Sequence, residues 1–156
     1  MKKRSRIIYF GFIAVLMLSE MVTSNVYSLL GPLEDTAEIM GVSVSVERIR
    51  LIILIALDAV PGIAAVIAIT AYRSGDAAGV GRVAVILTTF GMLAYGGYQF
   101  WSATVQLGNM QNFVRLVGVV YSLFGIIAWF VGGDLRQELS SPNQSKKAPA
   151  SQAGTH

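Results

Sequence analysis

Hydrophobic and polar positions form long separate blocks along this chain. Four apolar runs, at about residues 7–30, 51–72, 83–107 and 116–133, reach the roughly 20 residues that a helix needs to cross a bilayer. The last three runs hold one charged residue between them, Asp58. Because backbone groups in hydrocarbon must be hydrogen-bonded within their own segment, the pattern predicts an all-α integral membrane four-helix bundle, one domain spanning residues 7–133.

Composition supports the membrane assignment and excludes sites that depend on cysteine or on a buried histidine. Of 156 residues, 54% are hydrophobic and 13% charged, and the mean hydropathy of +0.60 lies outside the usual range of soluble domains. No cysteine is present, which excludes disulfides, thiolate chemistry and cysteine-ligated metals. The one histidine, His156, ends a polar tail and is no candidate for a buried metal ligand or general base. No catalytic residue, metal or particular cofactor is therefore predicted.

The distribution of basic residues predicts the orientation. One side of the predicted bundle carries nine of them: Lys2, Lys3, Arg4, Arg6, Arg73, Arg82, Arg136, Lys146 and Lys147. The other side has three, Arg48, Arg50 and Arg115. We therefore expect a multi-pass protein of the plasma or inner membrane, with a basic cytoplasmic N-terminus (1–6) and a disordered cytoplasmic tail (134–156). The basic residues, which give the chain a net charge of +3, then lie next to the lipid bilayer surface. No nucleic-acid partner is expected.

The N-terminal segment also has the polarity of a secretory signal, with "MKKRSR" before an apolar stretch. The apolar run continues through Glu20 and Asn25 to Leu30, and no A-x-A-like cleavage site follows it. We therefore predict an uncleaved first helix, followed by an outward-facing acidic loop, "GPLEDTAEIMGVSVSVER".

Two carboxyls are predicted at one depth of the membrane. With about 1.5 Å of rise per residue, Asp58 lies roughly 10 Å below the outer boundary of a core about 30 Å thick. Glu20, counted from the inner boundary, lies about 20 Å up and so at nearly the same level. Polar positions of the third helix share one face: Thr88, Met92, Tyr95, Gln99, Ser102 and Gln106. The candidate cluster comprises Glu20, Ser24, Asp58, Tyr95, Gln99 and Tyr121.

Two interpretations of this cluster remain open. Acids inside a membrane span usually mark a functional site, here a proton relay, a cation site, or a binding site for a quinone or lipid head group. Alternatively, neutral carboxyls donate hydrogen bonds to Tyr95 or Gln99 and only fasten the helices together. Pro61 is either a kink beside Asp58 or an ordinary membrane proline. The segment "YGGYQFW" (95–101) either lines an aromatic pocket or belongs to the interfacial belt.

Three segments of the chain resemble known families. "IYFGFIAVLMLSEMV" is similar to the first helix of small multidrug resistance transporters, which implies proton exchange at Glu20. "ERIRLIILIALDAVP" looks like the second helix of membrane-associated eicosanoid and glutathione enzymes, although Ile53 and Ile55 replace the polar residues of that motif. The arrangement around "LDAVPGIAAVIAI" and "RSGDAAGVGR" resembles DoxX-like small four-helix membrane proteins. That resemblance implies that Asp58 is the second-helix acid of this group, some members of which are linked to quinone-coupled or other membrane redox complexes.

The function expected from the sequence is that of a non-enzymatic component or accessory subunit of a membrane assembly, with redox or quinone-linked assemblies among the candidates. It is expected to pack as a homo-oligomer or with other membrane subunits, because the loops are short and catalytic side chains are lacking. The fourth helix also carries a small-residue seam along one face, at Gly118, Ser122, Gly125, Trp129 and Gly132. The alternative is a proton-coupled small transporter that uses Glu20 and Asp58. An enzyme is the third choice, since only carboxylate and tyrosine chemistry would be available to it.

Overall fold

The computed structural model describes residues 3–74, 78–104 and 109–133 of the chain. These residues form helices and short connections, and four of the helices are long and apolar enough to cross a membrane. The four long helices are Lys3–Leu30, Val44–Ser74, Ala78–Ala103 and Asn109–Val131. The all-helical prediction with four membrane-length helices is thus confirmed. The predicted tail (134–156) and Gln106 lie outside the described residues.

The helices pack in chain order, each against the next, and the first also contacts the fourth. Tyr9 of the first helix donates a hydrogen bond to the Phe124 carbonyl of the fourth at 2.6 Å. At the same end of the bundle, the Arg6 guanidinium lies 5.9 Å from the centre of the Tyr72 ring, and the Tyr72 hydroxyl donates to the Val131 carbonyl at 3.2 Å. The start of the first helix and the ends of the second and fourth therefore lie together.

The ends of the long helices differ from those predicted. The second helix begins at Val44 rather than near residue 51, and the fourth at Asn109 rather than near residue 116. The third covers Ala78–Ala103 instead of 83–107. At the second helix, the Ser43 hydroxyl accepts a hydrogen bond from the Val46 backbone N–H at 3.4 Å, which is a helix N-cap. Hydropathy marks only the apolar part of a helix, whereas capping residues decide where the helix begins.

The predicted outer loop contains a short helix, Leu33–Met40. Glu34 and Asp35 lie in its first turn, where negative charge is favourable next to the free backbone N–H groups. Gly41 ends the helix with a positive φ of 65°, a conformation that glycine adopts without steric cost. Leu33 and Ala37 are buried, and the short helix packs on the second long helix. Part of the predicted loop is therefore a helix that packs against the second long helix.

The seam of small residues on the fourth helix packs inside the bundle. A Cβ at Gly118 would lie 2.9 Å from the Gly96 carbonyl oxygen, and one at Gly125 would lie 2.9 Å from that of Thr89. The absence of side chains at these positions lets the third and fourth helices approach backbone to backbone. The seam therefore forms a contact within the chain and does not support the predicted oligomer. Association with other chains stays a prediction that rests on the short loops and the lack of catalytic side chains.

Pro61 lies inside the second helix, which continues on both sides of it to Ser74. Its ring is fully buried and faces Gly91 of the third helix. On the opposite side, Gly62 faces Met17 and Leu18 of the first helix. The first, second and third helices therefore come closest together about one turn after Asp58.

We expect Gly91→Ala to destabilise the bundle. A Cβ at this position would lie 2.9 Å from Cβ and Cδ of the rigid Pro61 ring, and such overpacking costs about 1–3 kcal/mol. Gly97→Ala on the same helix is the matched control, because a Cβ there meets nothing within 4 Å. Thermal unfolding in one detergent should show a lower midpoint for Gly91→Ala only. Equal midpoints for the two variants would contradict the close contact between the second and third helices.

Candidate functional site

Glu20 lies between two tyrosines of the third and fourth helices. The Tyr95 hydroxyl donates a hydrogen bond to Oε1 of Glu20, and the Tyr121 hydroxyl donates to Oε2. The two tyrosine rings also contact each other, with centroids 4.6 Å apart. Three of the residues predicted from the sequence thus form one contact that links the first, third and fourth helices.

Asp58 lies beside this contact and is fully buried. Its Oδ2 atom accepts a hydrogen bond from the Asn25 side-chain amide at 2.5 Å. Its Oδ1 atom has no hydrogen-bond partner among the residues that the structure describes. Asp58 is close enough to Glu20 and Tyr95 for electrostatic interaction with both. The structure therefore places Glu20 and Asp58 in one side-chain cluster. Their common depth in a membrane stays a prediction.

Asn25 was not among the predicted site residues, and a local change of helix type explains why. In an α-helix, a residue five positions after Glu20 points about 140° away from it. Residues Met21–Val26 instead form a π-helix, in which the Tyr27 N–H bonds to the Val22 carbonyl five residues earlier. Asn25 is consequently buried and reaches Asp58, whereas Ser24 is exposed. The one signal in the sequence is an amide inside a predicted membrane-spanning run.

A polar pocket of about 440 Å³ opens next to the two carboxyls. It is lined by Thr23, Ser24, Asn25, Ser28, Arg50, Leu51, Leu54, Tyr95, Tyr98, Gln99, Ser102 and Val114. Ser24 and Gln99 therefore belong to the pocket wall rather than to the hydrogen bonds around the carboxyls. Asn25 and Tyr95 line the pocket and also bond to Asp58 and Glu20. These two side chains lie between the pocket and the acids, and each hydrogen-bonds to one acid.

An ion pair between a buried Glu47 and a partly exposed Arg50 lies at the same end of the bundle, and the sequence did not predict it. The Arg50 guanidinium donates from Nε to Oε2 of Glu47 at 2.8 Å and from Nη2 to Oε1 at 2.7 Å. Glu47 is fully buried, and Arg50 lines the pocket. From the sequence, Glu47 was expected in an outward-facing loop, because the second helix was predicted to begin after it. The earlier start at Val44 instead carries this carboxylate into the folded bundle.

The aromatic segment 95–101 has one face on the pocket and one face outside the bundle. Tyr95 and Tyr98 line the pocket, whereas Phe100 and Trp101 are exposed on the outside of the bundle. An exposed tryptophan near the end of an apolar helix is typical of the interfacial belt. The segment therefore supplies pocket residues on one face and exposed aromatic residues on the other.

Comparison with known proteins gives no matching family model, no matching curated protein and no matching solved structure. The family resemblances, including that to DoxX-like proteins, therefore stay predictions. What the site can do has to be inferred from its own side chains.

Proposed function

We propose that the protein is a proton-coupled small transporter for organic cations. In this proposal the four helices cross the plasma or inner membrane, both termini are cytoplasmic and the polar pocket faces outward. The observation that carries the proposal is that Asn25 and Tyr95, which line an open polar pocket, hydrogen-bond to Asp58 and Glu20. Acids within membrane spans are costly, and in transporters they commonly carry protons or bind ions.

Proton and cation would compete for the same negative charge at this site. Carboxyls in a low-dielectric setting favour the neutral, protonated form. A cation in the pocket favours the ionised form, because the opposite charge compensates for the lost hydration. Binding of the cation would therefore release a proton, and rebinding of a proton would release the cation. Exchange of this kind needs no further cofactor.

The pocket suits a small organic cation in size and in lining. Its volume of about 440 Å³ lies within the usual range of small-molecule sites, roughly 300–1,000 Å³. The polar residues Ser24, Asn25, Tyr95 and Gln99 line its wall, and the charge of Arg50 in the same wall is paired with Glu47. Such groups replace part of the hydration that a cation loses on entry.

Proteoliposomes with a pH-sensitive dye inside test this proposal. With an acidic lumen, external quaternary ammonium compounds or primary amines of increasing size should alkalinise the lumen in a saturable way. Neutral alcohols of the same size are the control and should have no effect. If no cation in the series moves protons above the rate of protein-free liposomes, while the protein remains folded, the proposal is wrong.

A second candidate function is an accessory subunit, and an apolar groove favours it. The groove, about 400 Å³, lies between the second and third helices and is lined by Ile53, Ala56, Leu57, Val60, Leu87, Phe90, Gly91 and Ala94. An apolar helix of a membrane partner would fit such a surface. Native mass spectrometry after purification in mild detergent would then show a larger subunit in fixed stoichiometry. A monomer that carries only lipid would argue against this function.

A further inference from the structure

The π-helix Met21–Val26 forms part of the wall of the polar pocket, and we propose that it is a register switch between that pocket and Asp58. In the observed register, Asn25 lies between the pocket and Asp58, which is fully buried. In the second register this segment is α-helical, and Ser24 takes the place of Asn25. The two registers follow from helix geometry, whereas their use as a gate for the exchanged cation rests on the proposed transport function.

The π-helix holds one residue more than an α-helical turn, because its N–H groups bond five residues back instead of four. The burial pattern of the first helix shows the extra residue. Phe10, Ile13 and Met17 are buried at alternating spacings of three and four residues. An uninterrupted α-helix would continue this face at Ser24, but Ser24 is exposed and Asn25 is buried instead.

Both registers offer Asp58 a hydrogen-bonding partner. In the observed one, the Asn25 side chain lies 2.5 Å from Oδ2 of Asp58. In an α-helix, Ser24 would follow Glu20 by four residues and lie only about 40° from it around the helix axis. The Ser24 hydroxyl would then face Asp58 from the same side. Because serine is smaller than asparagine, the pocket would extend towards the carboxyl in this second register.

The two ends of the π-helix are held differently. Before it, Glu20 is bonded to tyrosines of the third and fourth helices, and the second helix packs closely against the first at Gly62. After it, the single turn Tyr27–Leu30 ends at Gly31, where the backbone is extended. The first and last residues of this turn are largely exposed. A change of register therefore rotates only the short outer end of the helix, by about 100°.

In the proposed exchange, the register decides whether the pocket reaches Asp58. With Asn25 in place, a cation in the pocket is separated from this carboxyl. Rotation that brings Ser24 to Asp58 withdraws the larger amide side chain, so the cation can approach the acid for which it competes with a proton. A ligand stabilises the state that it binds more tightly, so a bound cation should favour the second register.

Deletion of Val22 tests whether the π-helix contains one extra residue. Val22 is exposed, and its removal should leave a continuous α-helix with both ends in their present places and Asn25 permanently at Asp58. Deletion of Val15, an exposed residue of the α-helical part, is the matched control, because it rotates one part of the helix against the other by about 100°. The thermal midpoint in detergent should stay close to that of the wild type for the first deletion and fall sharply for the second. Loss of folded protein on deletion of Val22 would overturn the proposal.

Spin-label distances measure the two registers directly. The chain has no cysteine, so labels can be attached at Tyr27→Cys, on the end that rotates, and at Trp101→Cys on the third helix. Both positions are exposed. A rotation of about 100° moves a side chain at the helix surface by up to about 7 Å. Pulsed electron paramagnetic resonance in lipid bilayers should give two distances for the full chain and one for the Val22 deletion, and a single common distance would refute the switch.

Tetraethylammonium separates the switch from its use as a gate. It should increase the population of the second distance in the full chain and leave the Val22 deletion unchanged. The deletion should also abolish cation-driven proton flux, which a purely structural π-helix would not require. Two distances that do not respond to the cation, or wild-type flux in the deletion, would refute the gate. If the full chain drives no flux but still shows two distances, transport and gate are wrong and the switch stands.

Discussion

Glu20→Gln and Asp58→Asn are each expected to reduce cation-driven proton flux to the rate of protein-free liposomes. Each substitution removes one of the two carboxyls for which proton and cation compete in the proposed exchange. Both new side chains are nearly isosteric with the old ones. In the Glu20→Gln variant the amide carbonyl oxygen can still accept a tyrosine hydrogen bond, so we expect both proteins to fold.

Glu38→Gln serves as the matched control for these flux measurements, because it removes an exposed carboxyl outside the cluster. It should retain wild-type flux. Size-exclusion profiles and thermal midpoints in detergent separate loss of activity from loss of structure. If both acid variants fail to give a folded protein, Glu20 and Asp58 fasten the helices and the site interpretation loses its support.

Arg50→Met is expected to cause the largest loss of stability among the substitutions considered. It keeps an unbranched apolar stem but leaves the carboxylate of Glu47, which is fully buried, without its two donors. Breaking a buried pair costs about 3–5 kcal/mol, and we expect about 2 kcal/mol or more here because the Arg50 side chain is 32% exposed. Thermal unfolding in detergent and limited proteolysis should both detect this change.

Arg48→Met is the matched control for that substitution. Arg48 lies two residues earlier on the same helix and is exposed. It should leave the thermal midpoint close to that of the wild type, as most exposed substitutions do. A double variant, Glu47→Gln with Arg50→Met, should recover part of the lost stability, since it removes the uncompensated charge. Equal midpoints for Arg48→Met and Arg50→Met would contradict the buried ion pair.

The sequence was sufficient to predict four helices of membrane-spanning length, and it grouped Glu20 with Tyr95 and Tyr121, which hydrogen-bond to it. Both predictions depend on properties that a single chain carries, namely the length of apolar runs and the fixed rise of a helix. Depth in a membrane is predicted by counting residues, so the two acids could be expected at one depth before any packing was known.

Other features depend on interactions that hydropathy does not report. Asn25 reaches Asp58 only because a π-helical segment rotates it inward, and no periodic pattern marks such a segment. Glu47 was assigned to a loop, because a charge next to an apolar run is usually solvated. The packing side of the glycine seam was also undetermined, since small residues permit close contact without specifying the partner helix.

That seam has a mechanical consequence for the bundle. Backbone contacts at Gly118 and Gly125 leave little freedom for sliding between the third and fourth helices, so this pair should move as one rigid body. Tyr95 and Tyr121, one on each of these helices, then keep a constant distance from each other. A movement of the first helix relative to this pair would change the contacts of Glu20 with both tyrosines.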